Sequence, residues 1–322
     1  MDLWSLTDLA TPWSVHVVAT LRIADHIAAG TSEIGALAAQ AGADRDSLHR
    51  VLRHLVGKGL FEEPSPGRFA LNDLARRLLG ESGRLGFDLD GIGGRMAYAW
   101  GTLLSAVRTG KPAYHEVFGR GFWDDLAAHP DVAVTFDALM GPMGHGTPDP
   151  HVLVNPEDWE SVKTVVDVGG GTGALLAEIL RNRPVVRGTL IDLPGTIERS
   201  GETFQSAGVA DRVTAVAQSF FDPLPAGADL YILKNVLGDW PDPEATAILR
   251  RCAEAARPGG RVVVFTGWPG DPASPELLMM VLVGGRGRTF EEFREMAKEA
   301  GLTVSAVGRQ PSGRVITECR PG

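Results

Sequence analysis

Apolar positions change their period once along this 322-residue chain. From Leu3 to about Gly121 they recur at helical spacing with short loops, and no run suits a parallel strand. Leu3 to Ala29 is apolar on nearly every face, through Leu9, Val15, Val17, Val18, Leu21, Ile23 and Ile27. A helix with no polar side to give to water is expected to meet a second subunit. Thr31 to Gly42 reads as a capped helix stopped by glycine and Asp46 to Leu60 as a second helix. Phe61-Glu-Glu and Arg68-Phe-Ala-Leu then read as a small hairpin. Helix, turn, helix and hairpin together make a winged helix. Residues 122–158 continue as a helical bridge ending in the Gly/Pro-rich stretch from Gly141 to Pro150, expected to be mobile or to line a pocket.

After Trp159 the period shortens. Strand-like runs Thr164–Val168, Gly188–Leu193, Val213–Gln218, Leu230–Val236 and Arg261–Thr266 alternate with helical ones, the pattern of a parallel sheet covered on both faces. A last helix, Phe290–Ala300, leads to closing strands at Leu302–Val307 and Arg314–Cys319. The expected class is α/β with an all-helical N-terminal domain, divided as 1–100, 101–158 and 159–322.

Composition narrows the function. Against 31 Lys and Arg stand 40 Asp and Glu, a net charge of −9, so the surface repels phosphate backbones and anionic lipid. The winged helix therefore has two readings. Arg50, Arg53, His54 and Lys58 would face a DNA groove, or the module is a dimerisation scaffold. The second is favoured, because no basic stripe continues onto the wing. Cys252 and Cys319 stand far apart with no histidine cluster, so neither a disulfide framework nor a metal site is expected. The N-terminus carries acids where a signal peptide needs bases, and the longest apolar run, Leu277 to Val283, is too short for a bilayer. A cytoplasmic protein without nucleic-acid or membrane partners is expected.

Val165-Val-Asp-Val-Gly-Gly-Gly-Thr-Gly-Ala places a glycine-rich turn between strand and helix, where backbone approaches a nucleotide-like ligand. Gly169, Gly171 and Ala174 even satisfy the dinucleotide fingerprint. Asp167 argues otherwise, since dinucleotide binders lead in from a wholly apolar strand. An acid two residues before the first glycine suits a ligand that brings an ammonium there and no pyrophosphate. S-adenosylmethionine has that ammonium. Asp192, closing the next strand before Leu193, is placed for two ribose hydroxyls. Taken singly, each acid has the alternative of a helix-capping or loop carboxylate; together with the glycines they point to S-adenosylmethionine.

At these residues the chain resembles the S-adenosylmethionine-dependent O-methyltransferases shared by plant phenol methylators and actinobacterial polyketide-tailoring enzymes. The likeness runs nearly end to end, through Ala10-Thr-Pro-Trp, Leu52-Arg-His-Leu-Val, Phe122-Trp-Asp-Asp-Leu, Asp167-Val-Gly-Gly-Gly-Thr-Gly, Ser219-Phe-Phe-Asp-Pro-Leu-Pro, Leu233-Lys-Asn-Val-Leu-Gly-Asp-Trp-Pro-Asp and Gly284-Gly-Arg-Gly-Arg-Thr. It implies a Rossmann-like class I methyltransferase sheet behind a winged-helix dimerisation domain, a homodimer, and S-adenosylmethionine or S-adenosylhomocysteine as cofactor. It also implies that Ser219 and Phe220 flank the adenine and that Lys234 lies beside the cofactor. Trp100, Trp123, Met140 and Met143 would wall a pocket for a small aromatic substrate, or are plain core.

The departures fall together. A phenol of pKa about 10 is mostly neutral at pH 7, so the family pairs a histidine base with two orienting acids. Here the matching positions are Gly238, Thr266 and Gly287. His145 is the one substitute base the family layout brings near, Asn235 would hydrogen-bond a substrate carbonyl, and Asp239 is expected to cap the helix starting near Asp242. Arg286 and Arg288 would face a quinone or carboxylate, or pair with surface acids. Three readings follow: an O-methyltransferase of aromatic polyketide-like products working by proximity, a relative performing another tailoring step such as decarboxylation, hydroxylation or coupling, and a ligand-responsive DNA-binding protein.

Overall fold

A computed structural model describes residues 3–143, 148–268, 270–273 and 275–322. The chain divides into two compact units, Met1–Tyr98 with Asp131–Leu139, and Ala99–Pro130 with Met140–Gly322. The segment 122–158, expected as one helical bridge, is shared between them: helix Phe122–Ala128 belongs to the second unit and most of helix Pro130–Met140 to the first.

In the first unit the N-terminal apolar stretch is three pieces rather than one helix: a 3-10 turn at Trp4–Thr7 and helices Ala10–Thr20 and Ile23–Ala28. Arg22 breaks the last two apart by adopting a left-handed backbone, φ 53°. Leu3, Leu6 and Leu9 are 72%, 66% and 72% exposed, so much of the apolar surface stays uncovered within one chain. Helix Ile34–Gln40 is capped by Glu33 and helix Arg45–Gly57 by Asp44, each side chain accepting a backbone N–H three residues on. The second buries Leu48, Leu52 and Leu55 at helical spacing. Strands β1 (Phe61–Ser65) and β2 (Arg68–Leu71) form the antiparallel wing. Its basic residues are spent locally: Lys58 pairs with Asp8 at 2.7 Å, His54 with the Thr11 hydroxyl at 2.8 Å, and Arg53 with Glu63 at 3.6 Å.

The second unit holds seven strands, β3 (Thr164–Val168), β4 (Arg187–Asp192), β5 (Val213–Ala217), β6 (Leu230–Leu233), β7 (Arg261–Thr266), β8 (Leu302–Arg309) and β9 (Val315–Pro321), in the order β5-β4-β3-β6-β7-β9-β8. All neighbours are parallel except those of β9, which slots antiparallel between β7 and β8. Alternate residues serve opposite cores: Val166, Val168, Tyr231 and Leu233 on one face, Val165, Leu230 and Ile232 on the other. Cys252 and Cys319 are buried thiols pushed up to about 12 by that apolar packing. Strand order reverses between β3 and β6, and a crevice outside the carboxyl ends of strands at such a switch point is where open α/β sheets bind ligands. Strand β6 stops three residues short of its sequence-predicted end at Val236, because Asn235 turns left-handed at φ 57°.

Candidate active site

The carboxyl end of β3 enters a loop that glycine alone tolerates. Gly169, Gly171 and Gly173 have φ of 67°, 61° and 85°, and Gly169 N–H donates to the Ile191 carbonyl at 2.8 Å. A Cβ on Gly169 would stand 2.9 Å from Val236 Cγ2 and 3.3 Å from Phe220 Cε1. On Gly170 it would stand 2.5 Å from the Asp167 carboxyl carbon. The loop is thereby drawn tight around Asp167, which is 1% exposed and whose Oδ2 has no hydrogen-bond partner among the described residues. Burial raises its pKa to about 7, the positive charge of Lys234 opposes the rise, and Asp192 adds to it. A buried acid with an orphaned oxygen is a site that awaits a cationic donor.

Asp192, ending β4, is oriented by the same loop. Its Oδ2 accepts from Gly171 N–H and its Oδ1 from Leu193 N–H, both at 2.8 Å. After β5, Ser219 Oγ accepts from Phe221 N–H at 3.2 Å, while the Phe220 ring lies against Gly169. The orphaned acid, the second acid facing the loop and an aromatic edge along the crevice fit a ligand with an ammonium at one end and a nucleoside at the other, so the donor set suits S-adenosylmethionine.

Aromatic rings run on from there. Phe220 and Phe221 meet Trp240 edge-on, with centroids 5.8 and 4.9 Å apart, and Trp240 stacks on Trp123 at 6.2 Å with 15° between planes. Trp123 and Trp240 line a cavity of about 460 Å³ with Pro112, Tyr114, Phe122 and Leu282. The Tyr114 hydroxyl donates to the buried Asp125 carboxylate at 2.7 Å, which fixes the cavity's polar wall. Of the four expected wall residues, Trp123 is thus joined to the crevice. Trp100, Met140 and Met143 lie at the surface, 43%, 40% and 46% exposed. A larger groove, about 820 Å³, is lined by charged residues of helices Asp242–Ala255 and Phe290–Glu299 and contains no glycine-loop residue.

The positions where the resemblance implies a base and two acids, Gly238, Thr266 and Gly287, are open or occupied by neutral groups. Gly238 sits in the 3-10 turn Leu237–Asp239, and a Cβ there would meet nothing within 4 Å. The Gly284–Arg288 segment presses on this turn: a Cβ on Gly285 would collide with the Gly238 carbonyl and stand 2.7 Å from the Asp239 carbonyl carbon. Thr266, at the end of β7, has its hydroxyl 2.7 Å from that of Thr317 on β9. Arg288 staples the turn from behind, donating to the Leu237 and Trp240 carbonyls at 2.7 Å each. Arg286 is not placed for a ligand: its guanidinium is held by Asp242 at 2.9 Å and Glu292 at 2.8 Å, the alternative weighed from sequence. Asp239 does not cap the following helix, whose first turn lacks a side-chain cap. Its carboxyl is partly buried and raised to about 7 by that burial, with Glu276 adding to the rise. His145 lies outside the described residues. Asn235 is exposed at the end of β6, and its Oδ1 accepts from Arg314 Nη1 at 3.1 Å.

Sequence reasoning missed Trp240 and Arg314. The tryptophan stood in plain view within Leu-Gly-Asp-Trp, and its value as the link between Phe220 and Trp123 emerges only from packing. Nothing local marks Arg314, which reaches Asn235 because β9 inserts beside β7.

Comparison with known proteins agrees along the whole chain. The profile of an O-methyltransferase domain matches residues 100–303, and that of an O-methyltransferase dimerisation domain matches residues 4–81. The 2,7-dihydroxy-5-methyl-1-naphthoate 7-O-methyltransferase of Streptomyces carzinostaticus is 42% identical over 312 residues, covering 95% of this chain and 93% of that protein. The aclacinomycin 10-hydroxylase of Streptomyces purpurascens is 38% identical over 318 residues, covering 94% and 84%. Among solved structures, an O-methyltransferase from neocarzinostatin biosynthesis in complex with S-adenosylmethionine and 2-hydroxy-5-methyl naphthoic acid superposes with a TM-score of 0.92 at 41% identity, covering 100% of this chain and 99% of that one.

Proposed function

Because this chain belongs to the O-methyltransferase family, we propose that it transfers a methyl group from S-adenosylmethionine to a hydroxyl of an aromatic polyketide-like natural product, without a dedicated base. The single observation that carries the cofactor half is the buried, orphaned Oδ2 of Asp167 inside a glycine loop crowded at Gly169 and Gly170. In this reading Asp167 holds the ammonium, Gly169 and Gly171 let the backbone approach, and Asp192 with Leu193 receives the ribose. Ser219 and Phe220 flank the adenine, and Lys234 balances the two acids. The bound cofactor supplies an electrophilic methyl. The protein's own part is to exclude water, stack a flat acceptor against Trp123 and Trp240, and aim its oxygen. Such orientation alone supplies effective molarities on the order of 10⁵ M or more, whereas a general base adds about 10²- to 10⁴-fold. A chain with Gly238, Thr266 and Gly287 therefore keeps a workable reaction, most readily on an oxygen that is already acidic.

The test is to incubate the protein with methyl-labelled S-adenosylmethionine and 1,4-dihydroxy-2-naphthoic acid as probe acceptor. One label per product molecule and equal S-adenosylhomocysteine are expected. A second reading, another tailoring step on a similar substrate, is favoured by one observation, the open space at Gly238, where an added Cβ would meet nothing within 4 Å. It predicts a changed product that carries no label.

The exposed Leu3, Leu6 and Leu9, together with the dimerisation-domain match, support a homodimer. Light scattering at micromolar concentration should give twice the chain mass, and a monomer would contradict it.

A further inference from the structure

The carboxyl edge of the sheet carries two cationic side chains, Lys234 and Arg314. Strand β9 begins at Val315, whose partner on β7 is Thr266, so the hairpin tip before it carries Arg314 into the region where the family keeps an acid. Arg314 is partly buried and gives one hydrogen bond, to Asn235 Oδ1 at 3.1 Å. No carboxylate pairs with it among the described residues. The charges around it leave its own charge uncompensated. Lys234 repels it, to the extent that burial and Arg314 together push the lysine's pKa down. Asp149, the acid near Lys234, is tied to His151 at 2.8 Å. Arg309, at the other end of the same tip, lies over the Trp268 ring at 4.4 Å. Beside it, at the end of β7, the slot where the resemblance implies an acid holds Thr266 instead.

A guanidinium half out of water, bonded to one neutral amide, has donors to spare, and its planar fork matches a carboxylate. We propose that Arg314, positioned by Asn235 at the tip of the β8–β9 hairpin, binds the carboxylate of an aromatic acid acceptor. The inference rests on the methyltransferase reading for what lies in the crevice, and it deepens that reading by naming the acceptor as an acid rather than a neutral phenol. The exchange has a chemical logic: the acids that would orient a base are gone, and with them the negative charge that would repel an anionic substrate.

The experiment compares 2-naphthoate with 2-naphthamide, which share shape and differ in charge. Affinities for the wild-type protein are measured by calorimetry, with and without S-adenosylhomocysteine, and again for Arg314→Gln and Arg314→Lys. Wild type should prefer the acid by about tenfold or more, the scale of a charge-assisted bond. Arg314→Gln should erase the preference while leaving amide binding unchanged, and Arg314→Lys should restore most of it. Equal affinity of wild type for acid and amide overturns the proposal without any variant. So does an acid preference that survives Arg314→Gln. Failure of S-adenosylhomocysteine to bind wild type counts instead against the cofactor assignment, and the acid-to-amide ratio measured without it still decides the role of Arg314.

Discussion

The two halves of the sheet's carboxyl edge have opposite character. On the side of β3 and β4 stand two carboxylates, Asp167 and Asp192, fixed by a loop in which three glycines take left-handed backbone and an added Cβ at Gly169, Gly170 or Gly173 would collide. On the side of β6, β7 and β9 stand Lys234 and Arg314, a threonine hydroxyl bonded to another threonine, and a glycine beside open space. The first half is overdetermined: a side chain at Gly169 presses on Phe220 and Val236, one at Gly170 on Asp167, and the Gly171 N–H holds Asp192. The second is permissive, since a side chain added at Gly238 touches no protein atom within 4 Å. A cofactor common to many reactions needs the rigid half. The proposed function puts acceptor choice and proton handling in the permissive half, where a Cβ at Gly238 meets nothing. On that reading the family's structure persists here while the base and acids that the resemblance leads one to expect at Gly238, Thr266 and Gly287 do not.

The sharpest way to break this comparison is to give the permissive half its histidine back. Because the slot is empty, Gly238→His should fold and bind S-adenosylmethionine as wild type does. If the space seats the acceptor, the imidazole fills it, and methyl transfer to a hydroxynaphthoate should fall by about a hundredfold or more, the cost of a misplaced reactant. Kinetics beside a melting curve decides the matter, and an unimpaired variant would mean that Gly238 merely dispenses with a base. A smaller effect sharpens the rigid half. Asp192→Ala removes the acceptor expected for the ribose hydroxyls, and calorimetry should find cofactor affinity weakened by about tenfold. Unchanged affinity would detach Asp192 from the ligand and leave it a loop carboxylate serving Gly171 and Leu193.

Legibility in the sequence divides along the same line. Strands β3 and β7 match their expected limits residue for residue, because continuous Val-rich runs between turn signals have one sensible reading. Asp167 is readable because its spacing to the glycines is local, and Asp192 because it closes the next strand. The N-terminal apolar stretch was misjudged in shape, since nothing in its composition marks Arg22 as the residue that turns left-handed. Arg286 was legible only as an alternative, its partners Asp242 and Glu292 being distant or on the far side of a turn. Arg314 was invisible. Its neighbour Asn235 lies 79 residues away, and the antiparallel insertion of β9 that joins them is a property of the whole sheet.

The rigid half can be tested without knowing the acceptor. With Asp167 raised to about 7 in the ligand-free protein, an ammonium binds its ionised form, so a proton must first be shed at lower pH. Calorimetric titration with S-adenosylmethionine at about pH 6 and about pH 8 should therefore show affinity rising with pH in the wild type, with proton release at the lower value. Asp167→Asn, which keeps the shape and removes the charge, should bind poorly at both and lose the pH dependence. Wild-type protein that binds no S-adenosylmethionine at either pH, or an Asp167→Asn variant that binds as wild type does, would contradict the assignment of this loop to the cofactor.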